Sequence, residues 1–367
     1  MRDALPEGNA VVYCEGAFNT TNGKTAHGLV RRTQRYRVLS VVDSRYRGRD
    51  AGDVLDGRDA GIPVFDGVRA AVSAARSKGP KASHLVVGIA PDGGRLSPEA
   101  RKDVLEALEL GLHLDVGLHD FLSEDPHMAR VAAERGVRIR DVRRPPPREA
   151  LHFFSGRIEE VTAFRVAVLR TDSAVGKRTT AWLLRDALEQ AGLGTELVGT
   201  GQTAWLQGVR FGMIMDSLVN DFVAGEIEHA VWSAWKEGGA QALVLEGQGS
   251  LMNPAYPGGF EILAAGRPDA VVLQHAPARR EYDGFPGYRL HPLALQVQAV
   301  ELLSGRPVAA VAVSHEGLDQ GGVQAACREI LETTGLPACD VLRDGPGLLL
   351  EALAPLLDRW KRGRKHG

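Results

Sequence analysis

Gly176-Lys177 stands where a short apolar run, Val166-Ala167-Val168-Leu169, gives way to residues of helical period, Ala181, Leu184, Ala187 and Leu188. The run reads as a strand buried on both faces and the periodic segment as a helix, so the intervening TDSAVGK is a tight turn feeding a helix N-terminus. Such a turn aims successive backbone N–H groups at one point. The helix dipole adds partial positive charge, Gly176 permits close approach and Lys177 supplies a full charge. The chemistry is diphosphate binding, with Asp172, Ser173, Ala174, Val175, Gly176, Lys177, Arg178, Thr179 and Thr180 as the cofactor-contacting stretch. The spacing departs from G-x-x-x-x-G-K-[ST] in two places: Thr171 replaces the first glycine, and Arg178 replaces the hydroxyl residue that would hold Mg²⁺. Thr179 and Thr180 follow one and two places late.

Other chemistry-bearing residues collect after apolar runs. Glu246 directly follows Ala242–Leu245 (ALVL), the position of a Walker B acid, and with Thr179 it would hold Mg²⁺ if the metal is used. Gly247 and Gly249 beside it let a ligand come close. Thr200, Gly201, Gln202 and Thr203 form a second polar loop suited to hydrogen bonding a substrate. Asp221, ahead of Phe222 in an otherwise apolar turn, is the strongest acid candidate on its helix, whereas Asp216 reads as an N-cap. His275 opens a long aromatic and basic loop, Gln274–His291, and is a candidate general base. In that loop Arg279 and Arg280 suit a substrate carboxylate, and Tyr282, Phe285 and Tyr288 suit a lid.

The elements that must position these residues alternate. Strand patterns at Ala10–Tyr13, Val38–Val42, Pro63–Phe65 and His84–Ile89 are interleaved with helical ones at Thr25–Arg32, Gly67–Ala75 and Ser97–Leu110, which predicts a Rossmann-like sheet. Asp43 ends the second strand, either as a ribose-binding acid or as a turn cap. Asn22-Gly23-Lys24-Thr25 contains the letters GKT, but Phe18 stands five residues before Gly23, so it reads as a turn and a helix start. Gly88–Gly94 (GIAPDGG) reads as a binding loop at a strand end or as a plain turn. Arg143–Arg148 (RRPPPR) cannot continue a helix or pair within a sheet, and it divides the chain into domains 1–145 and 146–367. The second domain repeats the alternation, with strands at Glu196–Val198, Ala242–Leu245, Asp269–Leu273 and Val308–Val313. Helices are expected at Asp216–Trp235, Leu293–Leu303 and Gly347–Trp360. The fold class expected is α/β, an N-terminal Rossmann-like domain followed by a P-loop NTPase-like parallel-sheet domain.

Bulk composition narrows the classes. With 367 residues, 44% hydrophobic and 25% charged, the chain has room for two cores. A net charge of −2 offers no whole-molecule attraction to nucleic acid or an anionic membrane. Cys14, Cys327 and Cys339 are too few and too scattered for a disulfide framework or a zinc site. No secretory leader and no run of about 18 apolar residues is evident, so a cytoplasmic protein with no membrane partner is expected.

Taken in order, TDSAVGKRTTA, TGQTAWLQG, DFVAGEIEHAV and EGQGSL make the chain resemble, over nearly its whole length, the D-glutamate N-acetyltransferase-like family, formerly a domain of unknown function. That family pairs a Rossmann-like domain with a P-loop domain, and TDSAVGK and VLEGQG are similar to the phosphate and acid loops of dethiobiotin synthetase. The resemblance implies that Asp172, Ser173, Gly176, Lys177, Thr179 and Thr180 surround a diphosphate with Glu246 near it, and that the protein is a homo-oligomer. Coenzyme A carries such a diphosphate. The leading expectation is acetyl transfer from acetyl-CoA to the amine of an acidic amino acid resembling D-glutamate. The alternatives are an ATP- and Mg²⁺-dependent carboxylate kinase or ligase, and a nucleotide-dependent switch whose mobile loop meets a partner.

Overall fold

A computed structural model describes residues 6–363. Two sheets organise the chain, and every strand pairing within them is parallel. The chain separates into two compact units. The first runs through Pro145 and also takes in Gln202–Val209; the second comprises Pro146–Gly201 and Arg210–Gly367.

The first sheet contains β1 (Gly8–Tyr13), β2 (Tyr36–Val42), β3 (Val64–Phe65), β4 (His84–Val87), β5 (His113–Val116) and β6 (Ile139–Asp141) in the order β3-β2-β1-β4-β5-β6. This is the doubly wound arrangement that strand–helix alternation predicts. Its layers are α1 (Lys24–Arg31), α2 (Ala51–Asp56), α3 (Val68–Lys78), α4 (Pro98–Glu109) and α5 (Pro126–Arg135). Side-chain caps from Asp50, Ser97 and Asp125 set the starts of α2, α4 and α5 by accepting N–H groups that have no intrahelical partner. β4 stops two residues sooner than its apolar pattern suggests. The Gly88 N–H turns to Tyr13 O at 2.7 Å, and a Cβ at Gly88 would stand 2.7 Å from Val12 Cγ1. Asp43 is fully buried and serves the fold: its carboxylate accepts from Phe18 N at 2.9 Å and pairs with Arg45 at 2.7 Å, so the turn-capping reading holds over ribose binding.

The second sheet contains β7 (Phe164–Arg170), β8 (Thr195–Gly199), β9 (Phe211–Gly212), β10 (Ala242–Glu246), β11 (Ala270–His275), β12 (Val308–Val313) and β13 (Ala338–Cys339), ordered β13-β12-β11-β7-β10-β8-β9. Its helices are α6 (Lys177–Gln190), α8 (Asn220–Lys236), α9 (Phe260–Gly266), α10 (Leu293–Ser304), α11 (Gln320–Thr334) and α12 (Gly347–Gly363), while α7 (Gln202–Leu206) belongs to the first unit. β7 lies at the centre, in register with β10 on one side and β11 on the other; Val168 pairs with Glu246 and Arg170 with Gln274. Central strands buried on both faces explain the unbroken apolar runs of β7 and β10.

Two helical expectations shift. α8 starts at Asn220, not Asp216, because Leu218 and Val219 are extended and Asp216 lies in a separate 3-10 turn, so Asp216 is not its N-cap. α7 was unmarked in the TGQTAWLQG stretch. Leu206 is buried among Ala10, Val12 and Leu29, and the Gln207 amide donates to Gly28 O and Arg32 O at 2.8 and 2.9 Å. Among the described residues no helix is long and apolar enough to cross a membrane.

Candidate functional site

The turn between β7 and α6 is shaped by two left-handed residues, Ala174 (φ 53°) and Gly176 (φ 94°), which flank the buried Val175. Alternating handedness turns consecutive N–H groups to one side and makes a concave anion site. Among the described residues nothing accepts a hydrogen bond from the backbone N–H of Ser173, Ala174, Val175 or Gly176. A Cβ at Gly176 would come no nearer than 3.9 Å to Gln274 Nε2, so it is the backbone angle and not crowding that asks for glycine there.

Lys177, the first residue of α6, points at the neighbouring strand end. Its Nζ donates to Glu246 Oε1 at 3.0 Å and to Gly247 O, and Arg178 Nε reaches the same Oε1 at 3.0 Å. Lys177 and Glu246 are 5% and 1% exposed. Glu246 Oε2 is buried and, among the described residues, has no hydrogen-bond partner. Burial pushes the Lys177 pKa down to about 7, and the guanidiniums of Arg170 and Arg178 add to that against the pull of Glu246. Burial would raise Glu246, but the charges of Lys177 and Arg178 outweigh it and hold the carboxyl below its ordinary value. The Thr200 hydroxyl donates to Glu246 O at 2.8 Å, fixing the acid strand to the loop that follows β8.

These residues fit a diphosphate: the amides of Ser173–Gly176 are open at the helix start, and beside them stand the Lys177 ammonium and the Arg178 guanidinium, both paired with Glu246 Oε1. They do not fit Mg²⁺ in the usual P-loop manner. Arg178 takes the place of the ligating hydroxyl and lays its charge on Glu246, and among the described residues no group of three or more His, Cys, Asp or Glu is placed to hold a metal.

Asp172 has a different task from phosphate contact. Its fully buried carboxylate accepts from Arg279 Nη1 at 2.7 Å, Asp283 N at 3.0 Å and Asn253 Nδ2 at 3.2 Å, which ties the loop after β11 to the cradle. Arg279 also donates to Ser173 O at 2.6 Å, and its Nη2 pairs with Glu316 at 2.6 Å. Its guanidinium is therefore committed within the protein, contrary to the expectation that it meets a substrate carboxylate. Arg280 is exposed. Tyr282 is an anchor of the loop and not a lid: it is 3% exposed, and its hydroxyl donates to Met252 O at 2.9 Å and lies 2.7 Å from His291 Nδ1. Tyr288 is exposed, and Phe285 meets Tyr256 edge-on.

The remaining candidates fall in separate places. His275, at the end of β11, has Nδ1 2.9 Å from the Thr171 hydroxyl, and burial lowers its pKa to about 4, which makes it a weak base. Thr180 donates to Gln274 Oε1 at 2.5 Å, bracing α6 against β11, and Thr179 is half-buried. Gly201 lies beside Gln248. Gln202 and Thr203 find their contacts in the first unit. A Cβ at Gly117 would be 2.8 Å from Gln202 Cγ, and Thr203 Oγ1 is 2.8 Å from Thr25 Oγ1, so both side chains pack the fold. Asp221 is exposed on the first turn of α8. The sequence reading missed Asn253, Asp283 and Glu316, which approach from loops distant in the chain, and Arg170, which ends β7 just before the cradle turn. Gln274, a polar residue closing an otherwise apolar strand, carried a detectable signal.

Two family profiles match the chain: the Domain of unknown function (DUF1611_C) P-loop domain over residues 152–350, and the Domain of unknown function (DUF1611_N) Rossmann-like domain over residues 44–145. A protein from Tritonibacter scottomollicae named D-glutamate N-acetyltransferase is 32% identical over 292 residues, 76% of this chain and 83% of the relative. One of the same name from a Pseudoalteromonas species is 28% identical over 277 residues, 72% of this chain and 79% of the relative. The crystal structure of a DUF1611 family protein from Anabaena variabilis superposes with a TM-score of 0.86 at 28% identity, covering 95% of this chain and 99% of that one. With both profiles matched in order and this degree of identity, the chain belongs to the DUF1611 family, a Rossmann-like domain followed by a P-loop domain.

Proposed function

We propose that this protein is an N-acetyltransferase that moves an acetyl group from acetyl-CoA to the amine of an acidic amino acid of the D-glutamate type. The observation that carries the reading is the amide cradle beside Lys177 with a guanidinium, Arg178, where a metal-using P-loop has a hydroxyl. The shared name of two relatives, D-glutamate N-acetyltransferase, supports the reaction class. Acetyl-CoA would supply a thioester carbonyl carbon and a diphosphate for the cradle. The amides of Ser173–Gly176 and the Lys177 ammonium bind that diphosphate, and Arg178 replaces the metal as its second counter-charge. Glu246 Oε1 holds Lys177 and Arg178 in place beside that diphosphate. Arg280, exposed on the loop held by Asp172, is the guanidinium left for the acceptor's carboxylate.

The test is release of free coenzyme A thiol from acetyl-CoA. The expected result is release that requires D-glutamate or a close analogue and is unchanged by EDTA. No release with any acidic amino acid, together with chelator-sensitive ADP formation from ATP, would overturn the reading in favour of a carboxylate kinase or ligase.

A further inference from the structure

Acetyl transfer to an ammonium-bearing acceptor requires a base, and the histidine beside Thr171 is a poor one, since burial lowers His275 to about 4. A second histidine stands at the same edge of the sheet. His315 lies two residues beyond β12, and Asp340 directly follows β13, the neighbouring parallel strand. Their side chains meet, with His315 Nδ1 2.6 Å from Asp340 Oδ2. Asp340 is 1% exposed and its Oδ1 accepts from Leu342 N at 3.0 Å, whereas the His315 ring is 37% exposed. Among the described residues nothing hydrogen-bonds His315 Nε2. A carboxylate at Nδ1 holds the ring proton there and leaves the lone pair on Nε2, so the buried acid sets the tautomer and the half-open ring presents a base.

Strand register brings this pair to the cradle's side of the sheet. Arg170 of β7 pairs with Gln274 of β11, which pairs with Ala312 of β12. Ser173 is three residues beyond Arg170, and His315 is three beyond Ala312. The two therefore leave the same edge two strands apart, on the order of 10 Å. Arg279 spans the interval: it donates to Ser173 O at 2.6 Å, and its Nη2 pairs at 2.6 Å with Glu316, the residue after His315. The pantetheine arm of coenzyme A is an extended chain with two amides, longer than that gap. A diphosphate on the cradle thus leaves the thioester within reach of the ring.

We propose that His315 is the catalytic base of the acetyl transfer and Asp340 its positioning residue, an assignment that rests on the reaction proposed above. Nε2 takes one proton from the acceptor's ammonium. The freed lone pair forms the N–C bond to the acetyl carbonyl carbon, and the C–S bond breaks with its electrons on sulfur. The imidazolium returns its proton to that thiolate, and the second ammonium proton passes to water. Around the pair stand Arg343 and Asp344 from the loop after β13, the Arg279–Glu316 pair, and the Cys327 and Cys339 thiols, which burial keeps protonated.

Rates of thiol release with D-glutamate from pH 6 to 9, with calorimetric binding of acetyl-CoA, test the assignment. His315→Asn puts an amide N–H where Nδ1 stands, so it keeps the tie to Asp340 and loses only the base. It is expected to lower kcat about 100-fold or more and to leave acetyl-CoA affinity within about twofold. Its kcat/KM should climb tenfold per pH unit through pH 9, because only acceptor already deprotonated in solution then reacts, whereas wild type levels off. Asp340→Asn should lower kcat about tenfold or more and still level off, its base present but misaligned. Wild-type turnover with kcat and pH profile unchanged in His315→Asn would overturn the base assignment alone. No thiol release by wild type with any acidic amino acid would overturn the reaction and the base together. Should His315→Asn fail to fold, Asp340→Asn decides, and an unchanged kcat in that variant overturns the assignment.

Discussion

Lys177 sits between opposed demands. Burial and two nearby guanidiniums favour its neutral form, while Glu246 favours the charged one, as the proposed diphosphate would. The ammonium binds the anion and the neutral amine does not, so a bound anion raises the lysine's proton affinity. Affinity for coenzyme A should therefore be constant below pH 7 and fall as pH rises above about 7, by at most roughly tenfold per pH unit; calorimetric titration across pH 6 to 9 checks it. Lys177→Met keeps most of the packing and removes the charge. It is expected to weaken coenzyme A binding about 10- to 100-fold, the range for hydrogen bonds to a charged group. Arg178→Thr restores the hydroxyl of an ordinary P-loop and frees Glu246 Oε1 of one cation. That variant should acquire Mg²⁺-dependent ADP binding, whereas wild-type binding of coenzyme A should ignore EDTA. The cradle and Glu246 were legible because their signal is local: a glycine–lysine pair after an apolar run, and an acid ending the neighbouring strand. The double duty of Asp172 was not. Its partners Asn253, Arg279 and Asp283 lie 81 to 111 residues on and meet it through folding alone.

At the scale of elements, the turn after β7 works because β10 and β11 flank that strand in register and deliver Glu246 and Gln274 to the same edge. Strand identity could be read from unbroken apolar runs, but strand order could not, since the pattern is the same for every strand buried on both faces. Short elements such as β9 and α7 left no period to detect. Glycines reveal where elements press together. A Cβ at Gly225 in α8 would stand 2.1 Å from His152 O, so the segment crossing α8 needs that position bare. Gly225→Ala should destabilise the second unit by about 1–3 kcal/mol, the cost of forcing packed elements apart, seen as an earlier chemical unfolding midpoint. An unchanged midpoint would mean that the crossing segment moves aside without penalty.

For the whole molecule, composition and alternation announced two α/β units, and the family profiles cover both. The excursion of Gln202–Val209 into the first unit was invisible, since a segment's allegiance depends on what it packs against, here Gly28 and Arg32. The account rests on one placement, a diphosphate on the amides of Ser173–Gly176 with Lys177 as counter-ion. Calorimetric titration of wild type and the Lys177→Met variant with coenzyme A, and with pantetheine, which lacks the diphosphate, tests it most directly. Wild type should bind coenzyme A far more tightly than pantetheine, and the substitution should erase most of that difference. Equal affinity of wild type for the two ligands, or coenzyme A binding untouched by the loss of the lysine, would contradict it.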